Sequence, residues 1–481
     1  MDSRRWPALA VMLIAAYMDL LDTTIVTVAL PSIQRDLGTS DTALQWVAAG
    51  YTLAFALALI TGGRLGDVHG RKTMFLIGVA GFTAASALSG LATGPGVLVA
   101  ARAVQGAAAA IMIPQLLTVI QVGFRRDERP RAFGLYGMVL ALGGVSGPLL
   151  GGLLTEADLF GWGWRTIFLI NVPVGVLAFA GSAVLMTESR ADRRPRLDPL
   201  GTVLVTLGLL ALVHPLVQGR ELGWPIWTFL AMAASVPLLA VFWVHEGRRA
   251  RAGASPLVDP RLLRARPVVA GLLVALVFFA STGYFFVLTL HLQAGLGFGA
   301  LRTGLAFLPF ALGVIAGSGA AARLVPRLGR TVVTAGTVVE AASILGMILT
   351  VGGAGDALQA WHLAPSLVLA GLGLALVSAT LVTITLSGVP ADHAGSASGL
   401  VNTTLQLGSA VGVATLGALF FGLLTSEHGV QSAAYADASA RSLLLAAGLA
   451  ALSCPLSLLL PRHALAEADP GTPSPVGSSA P

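Results

Sequence analysis

Long apolar runs are the feature of this sequence that most limits how the chain can fold. Of its 481 residues, 55% are hydrophobic and 11% are charged, whereas a soluble domain usually carries about 25% charged residues. The mean hydropathy is +0.82. An aqueous fold could not bury so much apolar surface, and a membrane-spanning helix needs about 20 mainly apolar residues. We therefore predict an all-α membrane protein.

The apolar runs between charged or turn-rich breaks predict fourteen membrane spans. Their approximate bounds are 8–30, 43–63, 73–93, 97–121, 133–155, 165–187, 199–219, 226–245, 267–291, 303–322, 331–351, 360–386, 397–424 and 441–461. The first run is too long for a signal peptide, has no small-residue cleavage pattern and contains two aspartates. We expect it to be a retained helix.

The placement of basic residues predicts the orientation of these spans. If the N-terminus is cytoplasmic, the inner segments hold 23 of the 29 lysines and arginines, the outer segments hold 5, and Arg102 lies within a span. This bias follows the positive-inside rule, so we expect a cytoplasmic (inner) membrane protein with both termini in the cytoplasm. The basic charge then faces anionic lipid rather than nucleic acid. Residues 463–481 are expected to form a disordered tail.

An internal repeat is visible in the glycines. Five glycines of the first half recur 265 residues later: Gly106, Gly134, Gly143, Gly147 and Gly152 correspond to Gly371, Gly399, Gly408, Gly412 and Gly417. Transporters are often built from such repeats. The repeat predicts two six-helix bundles, 1–190 and 261–462, separated by two inserted helices and their linkers in 191–260.

Six motifs lie in order on the predicted spans. They read LDTTIVTVALP (21–31), GGRLGDVHGRK (62–72), RAVQGAAAA (102–110), GGVSGPLLGG (143–152), WRTIFLINVPVG (164–175) and GSASGLVNTTLQLGSAVGVA (395–414). Together they resemble the 14-helix drug–proton antiporter branch of the major facilitator superfamily, as found in multidrug and antibiotic exporters of actinobacterial type. The resemblance implies the major facilitator fold, with two pseudo-symmetric bundles. It also implies an antiporter that exports a small, largely apolar drug or antibiotic and confers resistance, including self-resistance in a producing organism.

Ionisable residues inside predicted spans are functional candidates, because each costs about 2.5–3.5 kcal/mol on insertion scales. Asp19 and Asp22 are three residues apart and share one face of the first span. Asp22 and Arg102 lie at similar depths, which predicts an ion pair. The resemblance makes Asp22 and Arg102 the motif aspartate and the motif arginine. We predict a role in proton coupling for Asp19, Asp22 and Arg102. A permanent structural salt bridge is the alternative for the pair.

Three polar residues in the second half are further candidates. Glu340 is expected near the membrane midplane, where it would bind a proton or a cationic substrate; the alternative is a protonated acid that only joins two helices. Gln293 is expected in the outer loop after the ninth span, and Gln406 lies within the thirteenth. Both could donate hydrogen bonds to a substrate, although single polar residues often only hold helices together.

The loop after the second span carries a candidate gating motif. Gly62, Gly66 and Gly70 recur every four residues, which predicts a close approach to a neighbouring helix. Asp67 is placed to dock on a helix N-terminus and to reinforce one closed state. Arg71 is expected to serve as a positive-inside anchor.

The fifth span carries a stripe of small residues. Gly143, Gly147 and Gly151 share one face and predict tight packing, while Pro148 predicts a kink. Ordinary helix packing would explain the stripe. In the resembled superfamily, this glycine–proline pattern is typical of exporters rather than uptake carriers.

The sequence contains no Walker loop, no zinc-ligand spacing and no nucleophile elbow. We therefore expect a monomeric, non-enzymatic transporter without a cofactor, whose partners are a small-molecule drug or antibiotic, the lipid bilayer and protons as the coupling ion. Two alternatives stay open. One is a proton-coupled uptake carrier for a metabolite, and the other is a membrane receptor that moves nothing.

Overall fold

A computed structural model describes residues 5–125, 128–190, 198–219, 221–254, 256–258, 260–354, 357–387, 389, 394–424 and 431–462. These residues form helices and no strand. The α-helices are α1 (Arg5–Leu37), α2 (Asp41–His69), α3 (Arg71–Gly90), α4 (Pro95–Gly123), α5 (Arg129–Ala157), α6 (Thr166–Leu169), α7 (Asn171–Leu185), α8 (Pro199–Gln218), α9 (Ile226–Arg251), α10 (Arg266–Ser281), α11 (Tyr284–Leu290), α12 (Ala300–Ala306), α13 (Leu308–Leu328), α14 (Arg330–Ala354), α15 (Ala364–Leu386), α16 (Ala394–Leu424) and α17 (Gln431–Ser457). A π-helical turn, His291–Gly295, extends α11.

The number of spans agrees with the sequence prediction. Among the described residues, thirteen helical segments are long and apolar enough to cross a membrane, and α5, which is bent, makes fourteen. The ends of the helices differ from the predicted ends by several residues. For example, α1 extends from Arg5 to Leu37, whereas the predicted span is 8–30. The predicted tail at 463–481 lies outside the described residues, as does most of the linker before α8.

The two halves repeat one pattern of helix pairing. In the first half α1 packs on α5, α2 on α4, and α3 on both α4 and α7; in the second half α10 packs on α16, α13 on α15, and α14 on both α15 and α17. Glycines of the sequence repeat lie at matching crossings. A Cβ at Gly106 would clash with the backbone of Tyr51, and a Cβ at Gly371 would clash with the backbone of Phe310. The repeated glycines thus allow the same close helix approach in each half.

The halves also contact each other through a matched pair of glycines. α5 packs on α12, and α2 packs on α16. At the end of the bundle opposite the N-terminus, Gly152 lies against the backbone of Leu301, while the repeat partner Gly417 lies against the side chain of Gln45. Glu156 adds a hydrogen bond of 2.9 Å from the Leu301 N–H. The two halves are therefore in direct contact at this end.

The inserted helices α8 and α9 pack on each other, and α8 reaches both halves through α2 and α16. The hydroxyls of Thr61 in α2 and Thr202 in α8 lie 3.2 Å apart. Large apolar side chains of α9, including Ile226, Leu230 and Val236, are 64–77% exposed. Such a surface fits contact with lipid.

Candidate functional site

A buried ion pair joins α1 to α4. Asp22 is fully buried and Arg102 is 1% exposed. Arg102 Nη1 donates to Asp22 Oδ2. The amide nitrogens of Gln105 and Asn171 each donate to Asp22 Oδ1 at 2.8 Å. The predicted pair is thus present, and three donors from α4 and α7 surround the carboxylate.

The guanidinium group of Arg102 has further partners. Its Cζ lies 4.3 Å from the centroid of the Tyr51 ring and 5.7 Å from that of Phe168. Nη1 also donates to Gln105 Oε1 at 2.9 Å, and Nε donates to the Val47 carbonyl at 3.4 Å. Aromatic faces attract a desolvated cation, so these contacts and hydrogen bonds hold the buried arginine in one orientation.

Asp19 lies one turn from the pair and is connected to it. The Tyr51 hydroxyl donates to Asp19 Oδ1, while the ring of the same tyrosine faces Arg102. Asp19 is half-buried, whereas Asp22 is fully buried. The two aspartates predicted to share a face therefore differ in access, with Asp19 as the more accessible member of one polar network.

This arrangement links protonation to helix movement. Removing one partner from a buried ion pair typically costs 3–5 kcal/mol, because the other charge is left uncompensated. A proton on Asp22 removes its attraction for Arg102, and separation of α1 from α4 removes the cation that stabilises the carboxylate. Either event therefore favours the other.

Sequence reasoning missed the two amides that complete this network. Gln105 follows Arg102 by three residues and so lies on the same helix face. Asn171 is the one polar residue in the stretch 167–175, and it also donates to Ser86 Oγ at 3.0 Å. Gln105 lies in the motif RAVQGAAAA and Asn171 in the motif WRTIFLINVPVG, so the sequence contained a signal for each.

The glycine stripe of α5 lies against the α1 segment that carries Asp22. The three stripe residues Gly143, Gly147 and Gly151 face Leu20, Thr24 and Ile25 respectively. Thr24 Oγ1 also donates to the carbonyl of Gly143 at 3.3 Å. A larger residue in the stripe would push α5 away from the helix that holds the buried aspartate.

The predicted kink in α5 is present. The segments Leu135–Gly144 and Ser146–Ala157 meet at 40°. Pro148 explains the position of the bend, since a proline cannot donate to the carbonyl four residues earlier, which here belongs to Gly144, and its ring crowds that carbonyl. The Pro148 carbonyl lies against Gly304 of α12, so the bend also shapes the contact between the halves.

The first two glycines of the gating motif lie where α2 crosses α4. A Cβ at Gly62 would clash with the Ala110 carbonyl, and one at Gly66 would clash with the Gln115 side chain. Gln115 Nε2 donates to the Gly62 carbonyl at 2.8 Å. The predicted close approach is therefore observed, and α4 is the neighbouring helix.

The expectation for Asp67 was wrong in this structure. Its Oδ1 accepts from Arg71 Nη2 at 3.1 Å, one turn along the chain, rather than docking on a helix N-terminus. Arg71 is 7% exposed and so pairs with this aspartate instead of acting only as an anchor. The acid that docks on the N-terminus of α3, which follows the gating motif, is Glu188, located after α7.

Glu188 binds the start of α3. It accepts from the backbone N–H groups of Lys72 and Thr73 at 3.1 and 3.2 Å, and from the Thr73 hydroxyl at 2.5 Å. Gly70 has φ of 112°, and a Cβ there would lie 2.5 Å from the Glu188 carboxylate. Burial raises the pKa of Glu188, but these hydrogen bonds outweigh burial and hold the pKa below its usual value.

Glu340 lies in the interior of the second half. It is fully buried in α14, and neither carboxyl oxygen has a hydrogen-bond partner of normal geometry among the described residues. The Tyr284 hydroxyl of α11 faces it, and a Cβ at Gly373 of α15 would lie 2.9 Å from Oε2. An unpaired buried carboxylate is costly, so exposure and ionisation of this residue must change together.

The two candidate glutamines differ in position. Gln293 is not in a loop: it lies in the π-helical turn, is 8% exposed and donates to the Val28 carbonyl of α1 at 2.6 Å. Its amide therefore connects the two halves, and its nitrogen is used for this hydrogen bond rather than being open to a substrate. Gln406 is half-buried on α16, the helix whose Thr403 hydroxyl donates to the Ala56 carbonyl of α2 at 3.3 Å.

A cavity of about 660 Å³ lies between α2, α4 and α8, at the end opposite the N-terminus. Its walls are mainly apolar and include Trp46, Leu53, Val99 and Leu210. None of the candidate site residues lines it. The cavity is therefore separate from the buried polar network.

Comparison with known proteins identifies the family. The sequence profile of the Major Facilitator Superfamily matches residues 12–413. The chain belongs to this superfamily. As a major facilitator protein it is a multi-pass membrane transporter and not an enzyme.

Relatives of this transporter include proteins named for antibiotic transport, resistance or export. A probable actinorhodin transporter of Streptomyces coelicolor is 47% identical over 88% of this chain and 74% of its own length. The puromycin resistance protein of Streptomyces alboniger is 39% identical, covering 93% and 89%. A cephamycin export protein of Amycolatopsis lactamdurans is 40% identical, covering 85% and 84%.

Solved major facilitator structures share the fold of this transporter. An auto-inhibited peptide transporter of the POT family aligns with a TM-score of 0.66 over 94% of this chain and 95% of that one, at 17% identity. An inward-facing bacterial homologue of the lysosomal transporter Spinster aligns with a TM-score of 0.64, covering 95% and 97%, also at 17% identity. At such identities the likeness concerns the fold alone.

Proposed function

We propose that this major facilitator protein is a proton-coupled antiporter that exports a small, largely apolar antibiotic from the cytoplasm and so confers resistance. The names of the actinorhodin, puromycin and cephamycin relatives support antibiotic export as the activity. The observation that carries proton coupling is the fully buried Asp22, held by Arg102 and two amides.

The proton enters the cycle at the Asp19–Tyr51–Asp22 network. A proton from outside neutralises Asp22, the partner of Arg102, and Asp19, the more accessible member one turn nearer the cytoplasmic end of α1, passes it on towards the cytoplasm. The loss of this ion pair lets α1 and α5 move relative to α4. That movement drives the exchange between states open to opposite sides, and the proton leaves to the cytoplasm when Arg102 returns.

The second half carries a second proton site in this proposal. Glu340 is buried beside Tyr284 without a counter-charge among the described residues. It would carry a proton through the part of the cycle in which it is buried. The substrate would bind between the halves by apolar and aromatic contacts, with Gln406 as a hydrogen-bond donor or acceptor.

This proposal includes a monomer in the cytoplasmic membrane that uses no cofactor other than the coupling proton, and it puts both termini in the cytoplasm. The support is the 23-to-5 distribution of basic residues between the two predicted sides. The contact between Gly152 and Leu301 then lies on the outer side.

Asp22→Asn tests the proposal directly. The gene is expressed in a bacterium that lacks its own drug pumps, and accumulation of puromycin, a cephamycin and a fluorescent polycyclic dye is measured with and without a protonophore. Asn keeps the size of the side chain and its acceptor for the two amides, but it does not titrate. We expect wild type to lower accumulation at least tenfold, and both the protonophore and Asp22→Asn to abolish this effect.

Asp36→Asn is the matched control. Asp36 lies on the same helix and also pairs with an arginine, Arg165, at 2.5 Å, but at the exposed end of α1. This variant should export normally, and both variants must be present in the membrane at wild-type levels. Full protonophore-sensitive export by Asp22→Asn would refute the coupling role, and inward accumulation driven by the proton gradient would refute export.

A further inference from the structure

A cluster of three metal-ligating side chains lies where the inserted helices meet on the N-terminal side of the bundle. Asp198 precedes α8, and His245 and Glu246 lie in the last turns of α9. One ligand atom from each residue lies within 4.8 Å of the others. Asp198 is 2% exposed and Glu246 is fully buried. None of these residues belongs to the proposed proton path.

Local structure fixes the first two side chains. Asp198 caps α8, since its Oδ1 accepts from the Gly201 N–H at 3.0 Å. His245 Nε2 lies 3.1 and 3.0 Å from Oδ1 and Oδ2 of the same aspartate. An imidazole nitrogen and a carboxylate are thus already aimed at each other.

Glu246 contributes a buried carboxyl oxygen that accepts no hydrogen bond from the described part of the chain. Its Oε2 accepts from the Val258 N–H at 2.9 Å, whereas the buried Oε1 has no hydrogen-bond partner among the described residues. A Cβ built on Gly201 would lie 2.6 Å from Asp198 Oδ2 and 2.7 Å from Glu246 Oε1. The two carboxyl groups therefore converge over this glycine, and the orphaned oxygen points to Asp198.

Converging carboxylates in a buried site are stabilised by a shared proton or by a cation close to both. Arg249 Nε lies 3.1 Å from Asp198 Oδ2, and Arg64 of α2 faces both acids. The Arg249 side chain is 22% exposed and can turn to water. A metal ion at the cluster would replace the ion pair between Arg249 and Asp198 and would also use Glu246 Oε1.

We infer that Asp198, His245 and Glu246 form a binding site for a divalent metal ion of the zinc class. One imidazole and two carboxylates, with water in the remaining position, are a ligand set that suits Zn²⁺ and, less tightly, Mn²⁺. Ca²⁺ and Mg²⁺ prefer all-oxygen sites.

The bound ion would tie three segments together: the start of α8, the end of α9 and residues 256–258. The α8 segment also touches α2 through the Thr61–Thr202 contact. A ligand that binds only the folded protein stabilises it by mass action. Metal binding would therefore fix the inserted pair against the first half, next to the gating motif.

The test is calorimetric titration of the full chain with ZnCl₂ and MnCl₂, in detergent, after chelator treatment and with a purification tag that lacks histidine. We expect one zinc ion per chain, a higher melting temperature with zinc, and weaker binding of manganese. Glu246→Gln and His245→Ala should each weaken zinc binding at least tenfold.

His214→Ala and Glu221→Gln are matched controls from the same helix pair. His214 packs between Trp46 and Trp227, and Glu221 lies at the opposite end of α8. Both controls should bind zinc as wild type does. All variants are first compared without metal by gel filtration and melting. The proposal is overturned if the wild type shows no saturable zinc binding, which needs no variant, or if Glu246→Gln binds zinc unchanged.

Discussion

Gly152→Ala should open the end of the transporter at which α5 meets α12. A Cβ at residue 152 would lie 2.5 Å from Leu301 Cα and 2.6 Å from the Ala300 carbonyl oxygen. Ordinary carbon contacts lie about 3.5–4.0 Å apart. Both atoms belong to the backbone, so no side-chain rotation relieves the clash. The two helices must separate by about 1 Å for normal contact.

The size of the effect follows from the cost of overpacking. Inserting a methyl group into a well-packed contact typically costs about 1–3 kcal/mol, which changes a two-state equilibrium about 5- to 150-fold. Alanine also favours helix over glycine by about 1 kcal/mol. That gain applies to every state in which α5 is helical and so cancels from the equilibrium. The variant should fold normally and populate the state in which this end is open.

Distance measurement between spin labels checks this expectation. The one native cysteine, Cys454, is replaced by serine, and labels are placed at Phe160 and Trp361. These exposed residues follow α5 and precede α15, one in each half. The distance distribution of Gly152→Ala should move to longer values than that of the unsubstituted protein.

Gly144→Ala serves as the control on the same helix, because a Cβ at Gly144 meets no atom within 4 Å. This variant should keep the original distance distribution. An unchanged distribution in Gly152→Ala would refute the reasoning, since it would mean that the contact between α5 and α12 tolerates a methyl group.

Three further predictions concern stability and coupling. Glu188→Ala should lower stability by about 1 kcal/mol at pH 7, as loss of a helix cap does. Because the folded pKa of Glu188 lies below its usual 4.5, its contribution is complete above about pH 4.5 and disappears as the pH falls through the folded pKa. The wild-type and variant melting curves should therefore converge in acid, and a gap that widens in acid would contradict this. Glu340→Gln should keep the melting temperature but lower the number of protons moved per substrate in vesicles loaded with a pH-sensitive dye; an unchanged ratio would exclude Glu340 from coupling. Gly147→Val should destabilise the bundle by about 1–3 kcal/mol in thermal unfolding, through a clash with Thr24, whereas Gly137→Ala, which meets no atom within 4 Å, should not.

The sequence predicted the features that depend on one helix or on its repetition. Apolar runs gave the number of spans, Pro148 gave the bend in α5, and the offset of 265 residues placed Gly106 and Gly371 at equivalent crossings. The Asp22–Arg102 pair was also predictable, because opposite charges at similar depth in the membrane are stabilised by pairing.

Features that depend on a partner distant in the chain were not predicted. Glu188 binds the start of α3 from 115 residues away, and Gln293 reaches α1 from 265 residues away. Helical periodicity shows which face a residue occupies but not which helix covers that face. Asp67 was therefore given a docking role that Glu188 has in the structure.

The cluster of Asp198, His245 and Glu246 was missed for the same reason. Its members come from the two ends of an inserted helix pair, and the spacing of 47 residues between Asp198 and His245 matches no metal-binding motif. Only the antiparallel packing of α8 on α9 brings them together.

The surroundings of Asp22 have a consequence for how such transporters diversify. Within the part of the chain that the structure describes, the hydrogen-bond partners of the Asp22 carboxylate, Arg102, Gln105 and Asn171, all come from the first half. Mutations in α10–α17 can therefore reshape half of the surface between the bundles without altering a single contact of this carboxylate. Transporters that descend from one ancestor can in this way acquire new substrates while they keep the same buried Asp22 network. Where different antibiotics select for new specificity, substitutions should accumulate in the second half, whereas the residues around Asp22 in the first half should change little.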